Sequence, residues 1–203
     1  MAEVVLFHHA QGLTTGCLSF AQELRTAGHE VHTPDLFEGR TFSALAEGVA
    51  HAEEIGFGTI IERGRVAAEG LSNEIVYAGF SLGVLPAQAL AQMRGGAQGA
   101  VLVQSCVPPS ELGAPWPSGV PLQIHMMDAD PWTEEDLRVA RELAATIEGA
   151  ELFVYPGDRH LFADESLPAY DERAAALLKE REIGFLDGVR DEDRDGSERT
   201  TGL

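Results

Sequence analysis

A serine with glycine two residues to either side, Gly79-Phe80-Ser81-Leu82-Gly83, is where residue type and spacing in this chain first suggest chemistry. The apolar run Ile75-Val76-Tyr77-Ala78 enters it, and a helix-compatible run rich in Ala and Leu leaves it from Val84 onward. Between a strand and a helix, this spacing makes a sharp turn that lifts the hydroxyl at the carboxyl edge of a sheet, in a backbone conformation costing about 1–3 kcal/mol. A Cβ at either glycine would press on the neighbouring strand or helix, so both positions have steric reasons to be Gly. The helix that follows aims free N–H groups and its positive dipole end at the site, which suits a developing oxyanion.

A serine hydroxyl needs a base, and the base needs an acid to hold its tautomer. Two later strand ends supply both: Asp128-Ala129-Asp130-Pro131 follows the run Gln123 to Met127, and Pro156-Gly157-Asp158-Arg159-His160 follows Leu152 to Tyr155. Asp130 is preferred over Asp128 because Pro131 biases it toward an extended conformation in the loop, whereas Asp128 is closer to the strand. Among the seven histidines, His29, His32 and His51 lie on or beside predicted regular elements, and His125 is inside a strand. His8 and His9 reach the end of the first strand, where a second oxyanion donor is expected rather than the base. A metal reading of His8, His9 and His160 with Asp130 lacks any HxH or HExxH spacing, so no metal and no cofactor are expected.

The elements that must position these residues alternate along the chain. Val4 to Phe7, Val31 to Thr33, Ile75 to Phe80, Ala100 to Ser105, Pro121 to Met126 and Glu151 to Tyr155 read as strands, and helical spacing of apolar residues fills the intervals. Such alternation means a mostly parallel sheet of about six strands with helices on both faces, with its chemistry at the carboxyl ends of the strands. Pro86 predicts an irregular helix after Ser81, and Thr133 before Glu134-Glu135-Asp136 predicts a capped helix start.

At 203 residues, one buried core is expected, over residues 4–186. Residues 187–203 are too poor in apolar side chains to fold and read as a disordered acidic tail. The net charge of −19, from 14 basic and 33 acidic residues, argues against nucleic-acid or anionic-membrane partners. No run approaches a membrane span, and the start Met1 to His9 reads as a first strand rather than a signal peptide. Cys17 and Cys106, far apart and without metal-ligand spacing, fit a reducing cytoplasm and read as buried small hydrophobes. A monomer or homodimer acting on a small molecule is the expectation.

The order Ser81, Asp130, His160 is the chain order of α/β-hydrolases. With Gly79-Phe80-Ser81-Leu82-Gly83, His125-Met126-Met127-Asp128-Ala129-Asp130-Pro131 and Gly157-Asp158-Arg159-His160-Leu161-Phe162, the chain resembles the dienelactone hydrolase family of small, capless α/β-hydrolases, over roughly residues 4–185. The resemblance implies Ser81 as nucleophile, Asp130 as acid and His160 as base, with backbone N–H groups of Leu82 and of Ala10 or Gln11 forming the oxyanion hole. It places His9, Phe80 and Asp164 at the substrate pocket.

This chain departs from the family at three of those positions. Characterised members carry Cys where Ser81 stands, a Glu where His9 stands, and a carboxylate-binding Arg where Asp164 stands. The implied activity is serine hydrolysis of a carboxylic ester, lactone or thioester through an acyl-enzyme. With Asp164 and Glu165 at the mouth, a neutral ester or lactone is the expected substrate, and a non-catalytic ligand-binding protein of the same fold is the alternative.

Overall fold

In the computed structural model, the backbone is described for residues 1–200 and the side chains for residues 1–189. Six strands, β1 (Glu3–Phe7), β2 (Glu30–His32), β3 (Val76–Phe80), β4 (Gly99–Val103), β5 (Leu122–Met127) and β6 (Glu151–Tyr155), form one sheet in the order β2-β1-β3-β4-β5-β6. Every pairing is parallel. Parallel strands need crossovers that cover both faces, so β3, β4 and β5 are buried throughout.

Helix α1 (Thr15–Thr26) and α6 (Glu172–Thr200) cover one face, where Phe20, Leu24, Ala174 and Leu178 meet Val4, Leu6, Val76 and Val101. On the other lie α2 (Leu45–Ile55), α3 (Phe57–Ala68), α4 (Val84–Met93) and α5 (Glu134–Thr146), which pack Ala52, Ile60, Ala87, Leu90 and Ala140 against Val5, Phe7, Tyr77 and Leu102. Alternate residues of β1 thus serve opposite cores, as the period of two requires. Strand order reverses at β1, whose carboxyl end lies beside that of β3, and a crevice opens at such a switch point.

Three local expectations are corrected. Pro86 sits in the first turn of α4, where its missing N–H costs no intrahelical bond, and the irregularity lies upstream as a 3-10 turn over Ser81–Gly83. Thr133 precedes α5 but makes no side-chain cap, and its buried hydroxyl has no partner among the described residues. The helix also runs past Asp187: Leu178, Glu182, Leu186 and Val189 form one buried stripe of α6, so packing continues to at least Val189. The remainder of the expected tail lies outside the residues whose side chains are described. Among the described residues no helix is long and apolar enough to cross a membrane.

Candidate active site

β3 delivers Ser81 at a backbone φ of +47°, the left-handed region that non-glycine residues avoid. The turn survives because its neighbours are glycines. A Cβ on Gly79 would collide with the Gly83 carbonyl, and one on Gly83 would collide with the carbonyls of Phe7 and His8 at the end of β1. The elbow is thereby pressed against the loop that follows β1.

The loops after β5 and β6 are stitched together beside it. Asp128 Oδ1 accepts the Gly157 N–H at 2.9 Å, and the Ala129 N–H donates to the Gly157 carbonyl at 3.0 Å. Asp128 therefore holds the turn that leads to His160, and Asp130 faces the imidazole. Asp130 is buried; its Oδ2 lies 2.6 Å from His160 Nδ1 and its Oδ1 accepts the Trp132 N–H at 2.9 Å. A proton on Nδ1, donated to Asp130, leaves the lone pair of Nε2 directed at Ser81 Oγ, 2.7 Å away. Three expected residues thus stand in one hydrogen-bonded line at the carboxyl edge of the sheet.

The β1 side of the crevice has a different character. His9 and Asp164 are both buried, and His9 Nε2 lies 2.8 Å from Asp164 Oδ2. Asp164 also accepts from the Thr14 hydroxyl and, at Oδ1, from the Ser166 N–H at 2.8 Å and hydroxyl at 2.6 Å. Burial opposes its charge, but these donors prevail and hold its pKa down at about 2. For His9, burial opposes the imidazolium, yet the Asp164 carboxylate together with the Cys17 sulfur outweighs it and raises the pKa to about 9. The Gln11 N–H, 3.2 Å from Nδ1, favours the neutral ring instead; the shorter bond to a carboxylate dominates.

This corrects the expected pocket. His9 and Asp164 are turned to each other as a buried pair, so Asp164 is not a free carboxylate at the mouth. Phe80 is also buried, its ring meeting Phe20 edge-on at 5.0 Å in the core beneath. Period two places it with Ala78 and Val76 on the α1 face. The Gln11 N–H points at His9, and its side chain donates to the Phe42 carbonyl at 2.9 Å, which fastens the loop after β1 to residue 42.

The other histidines have structural partners. His8 Nδ1–H donates to the His9 carbonyl at 2.7 Å and Nε2 accepts the Leu36 N–H at 2.9 Å, while burial lowers its pKa to about 4. His125 lies between Gln123 and Tyr155, and burial lowers it to about 3. His32 meets Glu3 at 3.0 Å, and His51 packs on Phe37. The ligand set considered for a metal does not converge; the group that does is His9, Cys17 and Asp164, with ligand atoms within 4.8 Å of one another. In this arrangement the nitrogen of His9 that faces the group, Nε2, is already taken up by Asp164 Oδ2 at 2.8 Å.

Three residues at the site escaped the sequence reading. Trp132 is exposed beside His160, with ring centroids 6.0 Å apart. Half-buried Asp136 accepts the Ser105 hydroxyl at 2.6 Å, and burial raises its pKa, with His160 and Asp130 close enough to act on its charge. Gln104, the residue after β4, donates its N–H to the His125 carbonyl at 2.8 Å, and has a φ of +67° and a buried carboxamide without a partner among the described residues. An acidic run and a lone Gln carry no periodic signal; only Trp after Asp-Pro in a strand-end loop could have flagged a site position.

Comparison with known proteins places this geometry. Similar solved structures include a dienelactone hydrolase-like promiscuous phosphotriesterase from metagenomic libraries, at 16% identity and a TM-score of 0.73 over 93% of this chain and 87% of that one. A dienelactone hydrolase from Anabaena variabilis matches at 17% identity and a TM-score of 0.63 over 89% and 84%. One of two metagenome-derived lipolytic enzymes matches at 17% identity and a TM-score of 0.63 over 92% and 94%. At such identities these likenesses show the α/β-hydrolase fold. No curated protein matches significantly. The sequence model of one family matches residues 1–189, and by that match the chain belongs to the dienelactone hydrolase family.

Proposed function

We propose that the protein is a serine hydrolase that cleaves a neutral carboxylic ester, lactone or thioester through an acyl-enzyme. The observation that carries this reading is the 2.7 Å contact from Ser81 Oγ to His160 Nε2, backed by the 2.6 Å contact from His160 Nδ1 to Asp130. Ser81 attacks the carbonyl carbon as its proton passes to Nε2, and the imidazolium is stabilised by Asp130. Collapse of the tetrahedral intermediate releases the alcohol, which takes the Nε2 proton. Water then repeats the sequence on the acyl-enzyme, with His160 again as base, and the carboxylic acid leaves.

The backbone N–H groups of Leu82 and Ala10 are the proposed oxyanion donors. Ala10 is favoured over Gln11 because the Gln11 N–H points at His9 Nδ1. Pressure of the elbow on the carbonyls of Phe7 and His8 fixes how far the two donors stand apart. Exposed Asp128, Glu134 and Glu135 flank the loop that carries Asp130, which supports a neutral substrate.

A fluorophosphonate probe tests the reading. Stoichiometric labelling at Ser81, lost in Ser81→Ala, is the expected result. A folded wild type that neither takes the probe nor turns over any of a panel of esters and lactones would favour a ligand-binding protein.

A further inference from the structure

Large apolar side chains on a protein surface are common singly, but a tryptophan 53% exposed against the imidazole of a Ser-His-Asp line is a different matter. Trp132 follows Pro131, whose own φ is fixed by its ring, and the Trp132 N–H donates to Asp130 Oδ1 at 2.9 Å. The next residue is tied down too, because the Thr133 N–H donates to the Asp130 carbonyl at 3.2 Å. All of these bonds use the main chain. Any residue at this position could make them, so they do not explain an indole.

The indole lies 34° from the plane of the His160 ring, with centroids 6.0 Å apart. That is within the range of ring contacts, and it leaves about half of the side chain open to solvent. In the proposed reaction, His160 Nε2 returns its proton to the leaving oxygen, so what borders the imidazole on the open side borders the alcohol part of the ester. The carbonyl oxygen is turned instead toward the proposed oxyanion donors, the N–H groups of Leu82 and Ala10.

We infer that Trp132 is a specificity-determining residue that binds the alcohol moiety of the substrate, and that this moiety carries an apolar, preferably aromatic, ring. The inference rests on the proposed hydrolase reading and names its substrate class: neutral esters of aryl-bearing alcohols. A ring laid on the indole loses water from both apolar surfaces and meets a π-face already held in place, so little ordering is required on binding. The exposed carboxylates of Asp128 before it and of Glu134 and Glu135 at the start of α5 oppose an anionic group there.

The test compares benzyl acetate, ethyl acetate and methyl benzoate on the wild type, Trp132→Ala and Trp132→Phe. The first two substrates share an acetyl-enzyme and differ only in the leaving alcohol; the third moves the ring to the acyl side. Trp132→Ala is expected to lower kcat/KM for benzyl acetate at least about tenfold, with less than about twofold change for the other two. Trp132→Phe should recover most of the loss, and Tm should stay within about 2 °C because half of the residue is exposed and its hydrogen bond is made by the main chain. An equal effect on all three esters, or none, overturns the assignment. Fluorophosphonate labelling of Ser81 in the same variants separates the outcomes: labelling retained with no substrate discrimination defeats the role of Trp132 alone, whereas absence of labelling in the wild type defeats the hydrolase reading itself.

Discussion

Two His–Asp pairs stand at the same edge of this sheet and are built to opposite ends. His160 turns Nδ1 to Asp130 at 2.6 Å and leaves Nε2 to a hydroxyl. His9 turns Nε2 to Asp164 at 2.8 Å, and its Nδ1 faces a backbone N–H. Asp130 accepts from one imidazole and one N–H, while Asp164 collects an imidazole, two hydroxyls, a thiol and an N–H. The same two residue types thus give a pair with one basic nitrogen left for work and a pair with every position engaged. Adjacency of His and Asp does not make a base; an uncommitted lone pair aimed at an acidic proton does.

The comparison is broken most severely at its open end. Ser81→Ala is expected to lower kcat by about 10⁴–10⁶ while leaving Tm nearly unchanged, since the elbow requires small neighbours rather than a hydroxyl. Steady-state rates after removal of any contaminating esterase are the measurement; turnover near the wild-type level would refute the nucleophile. Asp130→Asn follows, at about 10⁴ in kcat, because an amide facing Nδ1 favours the tautomer with Nε2 protonated. Asp128→Asn should cost far less than that, since Asp128 anchors the Gly157 N–H and not the imidazole. A reversed ranking would mean that the loop after β5 presents the other carboxylate in solution.

How much of this was legible in the sequence depends on whether the information is local. A GxSxG turn between an apolar run and an Ala-rich run is encoded within about ten residues, and β3, the elbow and α4 follow it closely. The Ser, Asp, His order is likewise carried by three strand ends, and the structure brings those residues together. The pocket assignments of Phe80, His9 and Asp164 failed because they were transferred by position without asking which way each side chain faces. For Phe80 the period of a strand could have answered that. For His9 and Asp164 it could not, since the partner lies 155 residues away. The acidic C-terminal composition hid the end of a helical stripe: Val189 continues Leu178, Glu182 and Leu186 past Asp187.

The engaged pair should fail differently from the open one. Asp164→Asn removes the charge that holds His9 and gives the Thr14 and Ser166 donors a mismatched partner. Breaking a buried pair costs about 3–5 kcal/mol, and at this chain length that is a fall of roughly 6–20 °C in Tm. The pH dependence follows from the two shifts. Asp164, depressed to about 2, contributes stability above its ordinary pKa of 3.8 that is lost as pH falls through 2. His9, raised to about 9, contributes below its ordinary 6.5, and that stability is lost as pH rises from 6.5 to 9. The wild type should therefore lose Tm over that alkaline range, and the Asn variant should lose less. Activity per labelled site should stay within about tenfold. A loss of a thousandfold per site at unchanged Tm would show that this pair takes part in the chemistry.

The smallest expected effect comes from a third buried carboxyl, which sharpens the contrast by having nothing at all. Glu182 is fully buried on α6, and neither oxygen has a hydrogen-bond partner among the described residues. Where Asp164 is held ionised by its donors, burial alone acts on Glu182 and raises its pKa from 4.5 to about 8. A carboxyl with a raised folded-state pKa has the opposite sign to Asp164: it costs nothing below about 4.5, where both folded and unfolded chains are protonated. Its cost grows as pH rises toward 8 at up to about 1.4 kcal/mol per pH unit, and is constant above. Glu182→Gln keeps the shape and removes the titration, although an unpaired amide is itself unfavourable there. Its Tm should match the wild type within about 2 °C at pH 5 and exceed it by several degrees at pH 8, with turnover unchanged, as read from thermal melts across that range. A gap that is the same at pH 5 and pH 8 would mean that Glu182 finds a partner in solution, and that its burial is answered as fully as that of Asp164.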